Sequence, residues 1–116
     1  MEATISDRGS HIEVEITLPG LCGADFPDVL ARATDRFGRK PLLVLCDDPH
    51  REIDLREAYR IGVDVAVRFP LQAVAIVLRG RRASEADYFT ELVAANRGAR
   101  VRYFHDVASA RSWLAA

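Results

Sequence analysis

Two short apolar runs constrain the fold of this chain more than any other feature. Leu42–Cys46 and Ala73–Leu78 are apolar without alternation, which is typical of strands covered on both faces, as in a parallel sheet. An amphipathic segment lies between them, and parallel neighbours require such a crossover connection. The pattern therefore predicts an α/β fold.

The N-terminal segment predicts a β-hairpin. Ile12–Leu18 alternates strictly between apolar and polar residues, as a half-buried strand does. A weaker strand signal at Thr4–Ser6 precedes it, and Asp7–Ser10 between them is a turn signal.

Four amphipathic helices are expected. They begin near Phe26, Asp54, Ser84 and Asp106, where capping residues or a first-turn proline stand. The predicted buried stripe of the second helix is Leu55, Tyr59, Gly62, Ala66 and Phe69, and that of the third is Tyr88, Leu92 and Ala95.

A last short strand, Val101–Phe104, completes the order β-β-α-β-α-β-α-β-α. We expect a mixed, mainly parallel sheet of about five strands with four helices. With 116 residues the chain is expected to form one domain over residues 1–116.

Composition excludes several classes of function. The chain is 49% hydrophobic and 28% charged with a formal net charge of -1, so it gives no global reason to bind nucleic acid or an acidic membrane. No apolar run approaches the roughly 20 residues of a membrane helix, and the polar first residues lack a signal-peptide core. A cytoplasmic location is expected.

Cysteine usage gives no metal or redox motif. Cys22 and Cys46 match neither zinc nor thioredoxin-type spacing. Free thiols are expected, with Cys46 acting as a small hydrophobe, although a redox pair or disulfide stays open if the fold brings the two together.

The closing unit carries a family resemblance. Val101–Phe104 and Ala108–Leu114, an aromatic strand and an Ala/Trp/Leu helix, resemble the SpoIIAA-like branch of the STAS-type domains, mostly uncharacterised bacterial proteins. The likeness extends over roughly Ile12–Leu114. It implies a STAS/SpoIIAA-like α/β fold and a regulatory role through protein contacts.

One departure from that family bears on function. STAS anti-sigma-factor antagonists carry a phosphorylatable serine at the start of the helix after the central strand. The corresponding stretch, Cys46–Arg56, contains no Ser or Thr, so a phosphorylation switch cannot operate there. Asp47, Asp48 or Asp54 could imitate a permanent charge, or serve as turn and cap residues.

Polar chemistry concentrates after the predicted parallel strands. Ligands of open α/β sheets bind where strands end and loops run into helices. The candidate ligand- or anion-binding residues at this edge are Asp47, Asp48, His50, Arg79, Arg81, Arg82 and His105.

Each part of this candidate site has an alternative interpretation. Arg79, Arg81 and Arg82 before a helix start could bind an anion, or form a solvated basic turn. The aspartates and histidines could bind a metal, but they lack a recognised spacing, and no metal or cofactor is predicted. No nucleophile elbow or phosphate-binding loop is present.

The second helix also carries apolar residues off its main stripe. Ile61, Val63 and Val67 could face a partner, a homodimer interface or a hydrophobic ligand groove, or widen the core-facing stripe. Three functions follow, in order of preference. The first is a non-enzymatic STAS-like binding or regulatory module acting on a protein partner or as a homodimer. The second is a carrier or sensor of a small apolar or anionic ligand, and the third is an enzyme using Asp47, His50, Arg79 and His105.

Overall fold

The computed structural model describes residues 2–17, 26–47, 53–80 and 82–116. They form a five-stranded mixed sheet and four helices in the predicted order. The strands are β1 (Glu2–Asp7), β2 (Ile12–Thr17), β3 (Leu42–Asp47), β4 (Ala73–Arg79) and β5 (Arg100–Phe104). The helices are α1 (Phe26–Phe37), α2 (Leu55–Arg68), α3 (Glu85–Asn96) and α4 (Val107–Ala115). None of the described helices is both long and apolar enough to cross a membrane.

The strands lie side by side in the order in which they occur along the chain. β1 pairs antiparallel with β2, which confirms the predicted hairpin. β2, β3, β4 and β5 are mutually parallel. Their carboxyl ends therefore share one edge of the sheet, and the segments that follow them leave from that edge.

Three helices cover one face of the sheet. Alternate strand residues such as Val14, Val44 and Ile76 are buried there together with residues of α1, α2 and α3. Successive parallel strands laid down in one direction place all their crossover helices on the same face, because such crossovers share one hand. This face holds the larger part of the core.

The opposite face is covered differently. Leu43, Leu45, Ala75 and Val77 form a smaller apolar cluster there under α4. On β2, Glu13 occupies this face instead and is reached by Arg8 at 3.1 Å and by Arg111 of α4 at 3.6 Å. The face is thus apolar under α4 and polar beside it.

The helix starts follow the predicted capping chemistry. The Asp54 carboxylate accepts the backbone N–H of Glu57 at 2.7 Å, and Ser84 forms a reciprocal capping box with Asp87. Asp106 accepts the backbone N–H of Ser109 at 2.7 Å. These side chains satisfy amide groups that a helix start leaves without an intrahelical partner.

The contact between α2 and α3 shifts the buried faces of both helices. A Cβ atom on Gly62 would lie 2.8 Å from the Cβ of Val93 and 2.9 Å from the carbonyl oxygen of Thr90. The missing side chain lets α3 approach this closely, and small or β-branched residues line its inner side. The buried residues of α3 are Ala86, Asp87, Thr90, Val93 and Ala94.

The predicted stripes of these two helices are therefore partly wrong. Leu55 and Tyr59 of α2, and Tyr88 and Leu92 of α3, are exposed rather than buried. The residues that α2 does bury are Ala58, Ile61, Gly62, Val65 and Ala66. Helical spacing gives the faces of a helix, but the closest approach of a neighbouring helix decides which face is buried.

Replacing Gly62 with alanine tests this close approach. We expect Gly62→Ala to lower the free energy of unfolding by about 1–2 kcal/mol, since overpacking costs about 1–3 kcal/mol and better helix propensity returns up to about 1 kcal/mol. Urea denaturation followed by circular dichroism measures the change.

Val67→Ala on the exposed side of the same helix is the matched control. It alters propensity without altering packing, and we expect a change within about 0.5 kcal/mol. A Gly62→Ala protein as stable as the unsubstituted chain would contradict the close contact.

Candidate functional site

The carboxyl ends of the parallel strands bring two predicted site residues together. Asp47 ends β3, Arg79 ends β4, and the two stand opposite each other in the register of the sheet. Nε of Arg79 donates to one Asp47 oxygen at 2.7 Å, and Nη2 donates to the other at 3.0 Å. This is the bidentate geometry of an arginine–carboxylate pair.

A third residue, Glu15 of β2, completes the cluster. Nη2 of Arg79 also donates to an oxygen of Glu15 at 2.9 Å, so the guanidinium reaches across β3 to the neighbouring strand. All three side chains are partly exposed. We call Glu15, Asp47 and Arg79 the strand-end cluster.

Charge within this cluster favours the protonated arginine. The hydrogen bond to Glu15 contributes most to raising the pKa of Arg79, desolvation opposes it, and Asp47 raises it further. Two carboxylates face one guanidinium, so Arg79 is already paired with negative charge inside the protein. An added anion at Arg79 would have to compete with both carboxylates.

The basic turn after β4 leads into a capped helix. Arg82 is exposed, and Ser84 lies two residues further along at the start of α3. The Ser84 hydroxyl and backbone N–H both donate to Asp87, at 3.1 Å and 2.7 Å. Ser84 and Asp87 therefore act as the structural cap that the sequence predicts.

His105 stands at the outer end of the same edge. It follows β5, which lies two strands from β3, so the backbones of His105 and Asp47 are separated by roughly 10 Å at strand spacing. His105 borders a shallow hollow of about 310 Å³ together with Tyr88, Glu91 and Ser109.

Asp106, beside His105, is occupied in capping α4. The Ser109 backbone N–H contributes most to lowering the pKa of Asp106, and the Ser109 hydroxyl, which donates at 2.9 Å, lowers it further. This carboxylate is thus held ionised by the start of the helix.

Some predicted site residues lie outside the described part of the chain. These are Asp48, His50 and Arg81, together with Cys22 of the proposed thiol pair. Cys46 is partly buried and packs against the larger core. Among the described residues, no three His, Cys, Asp or Glu side chains are grouped as a metal ion would need.

A cleft between α1 and α2 opens near the start of α2. It measures about 510 Å³, within the range of small-molecule sites. Its described lining is Pro27, Asp54, Arg56, Glu57, Arg60, Ile61 and Asp64. The charged residues of both signs favour a polar or dipolar occupant over a purely apolar one.

The predicted interface residues of α2 do not form one exposed patch. Ile61 is 7% exposed and belongs to the core, Val63 is half-buried, and Val67 is 72% exposed. Ile61 contributes to the wide buried stripe that was the alternative interpretation. The interface role of Val63 and Val67 stays a prediction.

A different apolar surface lies on the outer sides of α2 and α3. Leu55 and Tyr59 are one helical turn apart on α2, and Tyr88 and Leu92 are one turn apart on α3. Each is between 46% and 55% exposed. We call these four residues the α2–α3 surface.

Contacts with neighbouring residues hold two of these side chains. The Arg97 guanidinium lies 5.2 Å from the Tyr59 ring centre and donates to the Tyr59 hydroxyl at 3.0 Å. The Tyr88 ring meets the Tyr103 ring edge to face at 6.5 Å. The aromatic members of the surface are thus held against the fold, which lowers the entropy lost on docking.

Sequence reasoning missed Glu15 and the α2–α3 surface for different reasons. The alternation of β2 already places Glu15 opposite the buried face, so it could have been proposed as a partner for a strand-end arginine. The α2–α3 surface had only an indirect signal, namely Gly62 and the small residues of α3.

A double-mutant cycle measures the strength of the strand-end cluster. We expect Asp47→Asn and Arg79→Met to show a coupling energy of about 0.5–1 kcal/mol, because partly exposed pairs are screened by water. The coupling should shrink in 1 M NaCl, where the screening length is about 3 Å. A cycle that shows no coupling at low salt would contradict the ion pair.

Comparisons of the chain with protein-family models, with curated proteins and with solved structures give no match.

Proposed function

We propose that the chain is a non-enzymatic, STAS-like binding and regulatory module that docks a protein partner on the α2–α3 surface. The exposure of Leu55, Tyr59, Tyr88 and Leu92 on two packed helices carries this proposal. Exposed apolar residues are common singly, but neighbouring ones on a rigid face are typical of a binding site.

The composition of this surface fits protein recognition. Tyrosine supplies a large contact area with few rotatable bonds, and aromatic residues are enriched in interface centres. The exposed Arg56 and Arg60 of α2 flank Leu55 and Tyr59 in the sequence. The expected partner therefore presents apolar side chains accompanied by carboxylates.

The SpoIIAA-like relationship is part of the proposal. It is supported by the order of strands and helices and by the closing unit, in which Phe104 and Trp113 lie 5.7 Å apart. The described carboxylates near the family's serine position have structural partners. Asp47 pairs with Arg79, and Asp54 caps α2. Control through a modified serine at that position is accordingly not part of the proposed mechanism.

Charge substitution on the surface tests the docking proposal. A partner recovered by crosslinking from the source cells should be purified and titrated against the chain by calorimetry. We expect Leu92→Asp to weaken binding at least tenfold, because a carboxylate would be desolvated in the apolar contact. Binding should also show a negative heat-capacity change.

Leu71→Asp is the matched control, since Leu71 is an exposed leucine outside α2 and α3. It should bind like the unsubstituted chain. If Leu92→Asp binds equally well, or if the crosslinks lie away from α2 and α3, the proposed surface is wrong.

The α1–α2 cleft supports a second candidate function, a carrier or sensor of a small ligand. Its volume and its position beside the start of α2 are the observations in favour. Arg60 on its wall can pair with an anionic group of the ligand.

Native mass spectrometry of protein purified from its source tests the carrier function. We expect a bound small molecule whose occupancy falls at least fivefold in Arg60→Glu, because the substitution reverses the charge on the wall. Arg36→Glu, on the exposed side of α1, should leave the occupancy unchanged. Absence of any adduct would remove this function.

A further inference from the structure

The outer strand β1 presents a backbone edge that the opposite side of the sheet does not. At that opposite side, the Glu91 carboxylate accepts the backbone N–H of Tyr103 at 3.1 Å, so a side chain of α3 occupies part of the edge of β5. In the described part of the chain, β1 has β2 as its strand partner and nothing paired beyond it.

The sequence of β1 lacks the usual protection of an edge strand. Edge strands are commonly blocked by proline, lysine or a bulge, because an open edge can pair with another chain. Residues 3–6 are Ala, Thr, Ile and Ser, and β1 pairs with β2 in continuous register from Glu2 to Asp7. An occupant of this edge must therefore offer a backbone of its own.

We propose that β1 pairs antiparallel with β1 of a second copy, joining two five-stranded sheets into one of ten strands. A two-fold axis perpendicular to the sheet relates the two strands. This inference concerns a surface distant in sequence from the α2–α3 surface and does not depend on the proposed function.

Symmetry restricts the register of this pairing. Residues directly opposite each other in a sheet point to the same face. The carboxylate of Glu2 therefore cannot stand opposite Asp7 of the second copy, because the two residues alternate to different faces. Centring the axis on Thr4 places Thr4 opposite Thr4, a favourable cross-strand pair.

The same register completes apolar burial. Ala3 and Ile5 are partly buried and pack against the larger core on the three-helix face. In the Thr4-centred pair, Ala3 of one copy stands opposite Ile5 of the other on that face. Each copy thus covers apolar surface that the other leaves partly exposed, which favours a second copy over an unrelated peptide.

Charge at the centre of the pair tests the inference. Light scattering after gel filtration, at concentrations up to about 1 mM, should give twice the mass of one chain. We expect Thr4→Lys to raise the dimer dissociation constant at least tenfold, because two ammonium groups would face each other across the axis. Thr4 is exposed, so the monomer should tolerate the lysine, and circular dichroism checks its fold.

Three measurements separate this dimer from other associations. Thr4→Val, which keeps a β-branched side chain without charge, should remain dimeric, and so should Leu92→Asp. Backbone amides of β1 should exchange more slowly as the protein concentration rises. A monomeric unsubstituted chain, a dimeric Thr4→Lys, or dissociation by Leu92→Asp would each overturn the proposal.

Discussion

Sequential parallel pairing of β2 to β5 is the constraint on which the rest of the structure depends. Strands added in one direction place α1, α2 and α3 on one face of the sheet. The other face is left to α4, which lies against β3, β4 and β5. A 116-residue chain with one helix on that side covers it incompletely.

The polar clusters of the protein follow from this unequal coverage. Where α4 does not reach, β2 carries glutamates instead of apolar residues, and arginines of other elements pair with them. The bidentate contact between Asp47 and Arg79 belongs to this arrangement and also stands at the strand ends, where α/β proteins bind ligands. One cluster thus satisfies a structural requirement at a position that favours chemistry.

Close approach of α2 and α3 at Gly62 has the second large consequence. It turns larger side chains of both helices outward, because small residues fill the contact between them. The exposed residues then form an apolar surface held partly by Arg97 and Tyr103. A packing event in the core therefore generates the surface on which the proposed protein-binding function rests, while the β1 edge offers a separate, backbone-mediated contact.

The amino-acid sequence by itself determined the class and order of this fold. The apolar runs, the alternating β2 segment and the caps at Asp54, Ser84 and Asp106 are local signals, and each corresponds to a strand, hairpin or helix start in the structure. The strand-end location of Asp47 and Arg79 also followed, since it requires only strand boundaries and parallel pairing.

Only the tertiary structure decided which side of α2 and α3 is buried and which charges meet. Leu55 and Tyr59 have the spacing of a core stripe, yet the approach of α3 leaves them exposed. Glu15 and Arg79 are 64 residues apart, and their contact depends on β2 and β4 both flanking β3. Helical periodicity and local capping act within a few residues, whereas burial and ion pairing depend on neighbours that the chain supplies from far along its length.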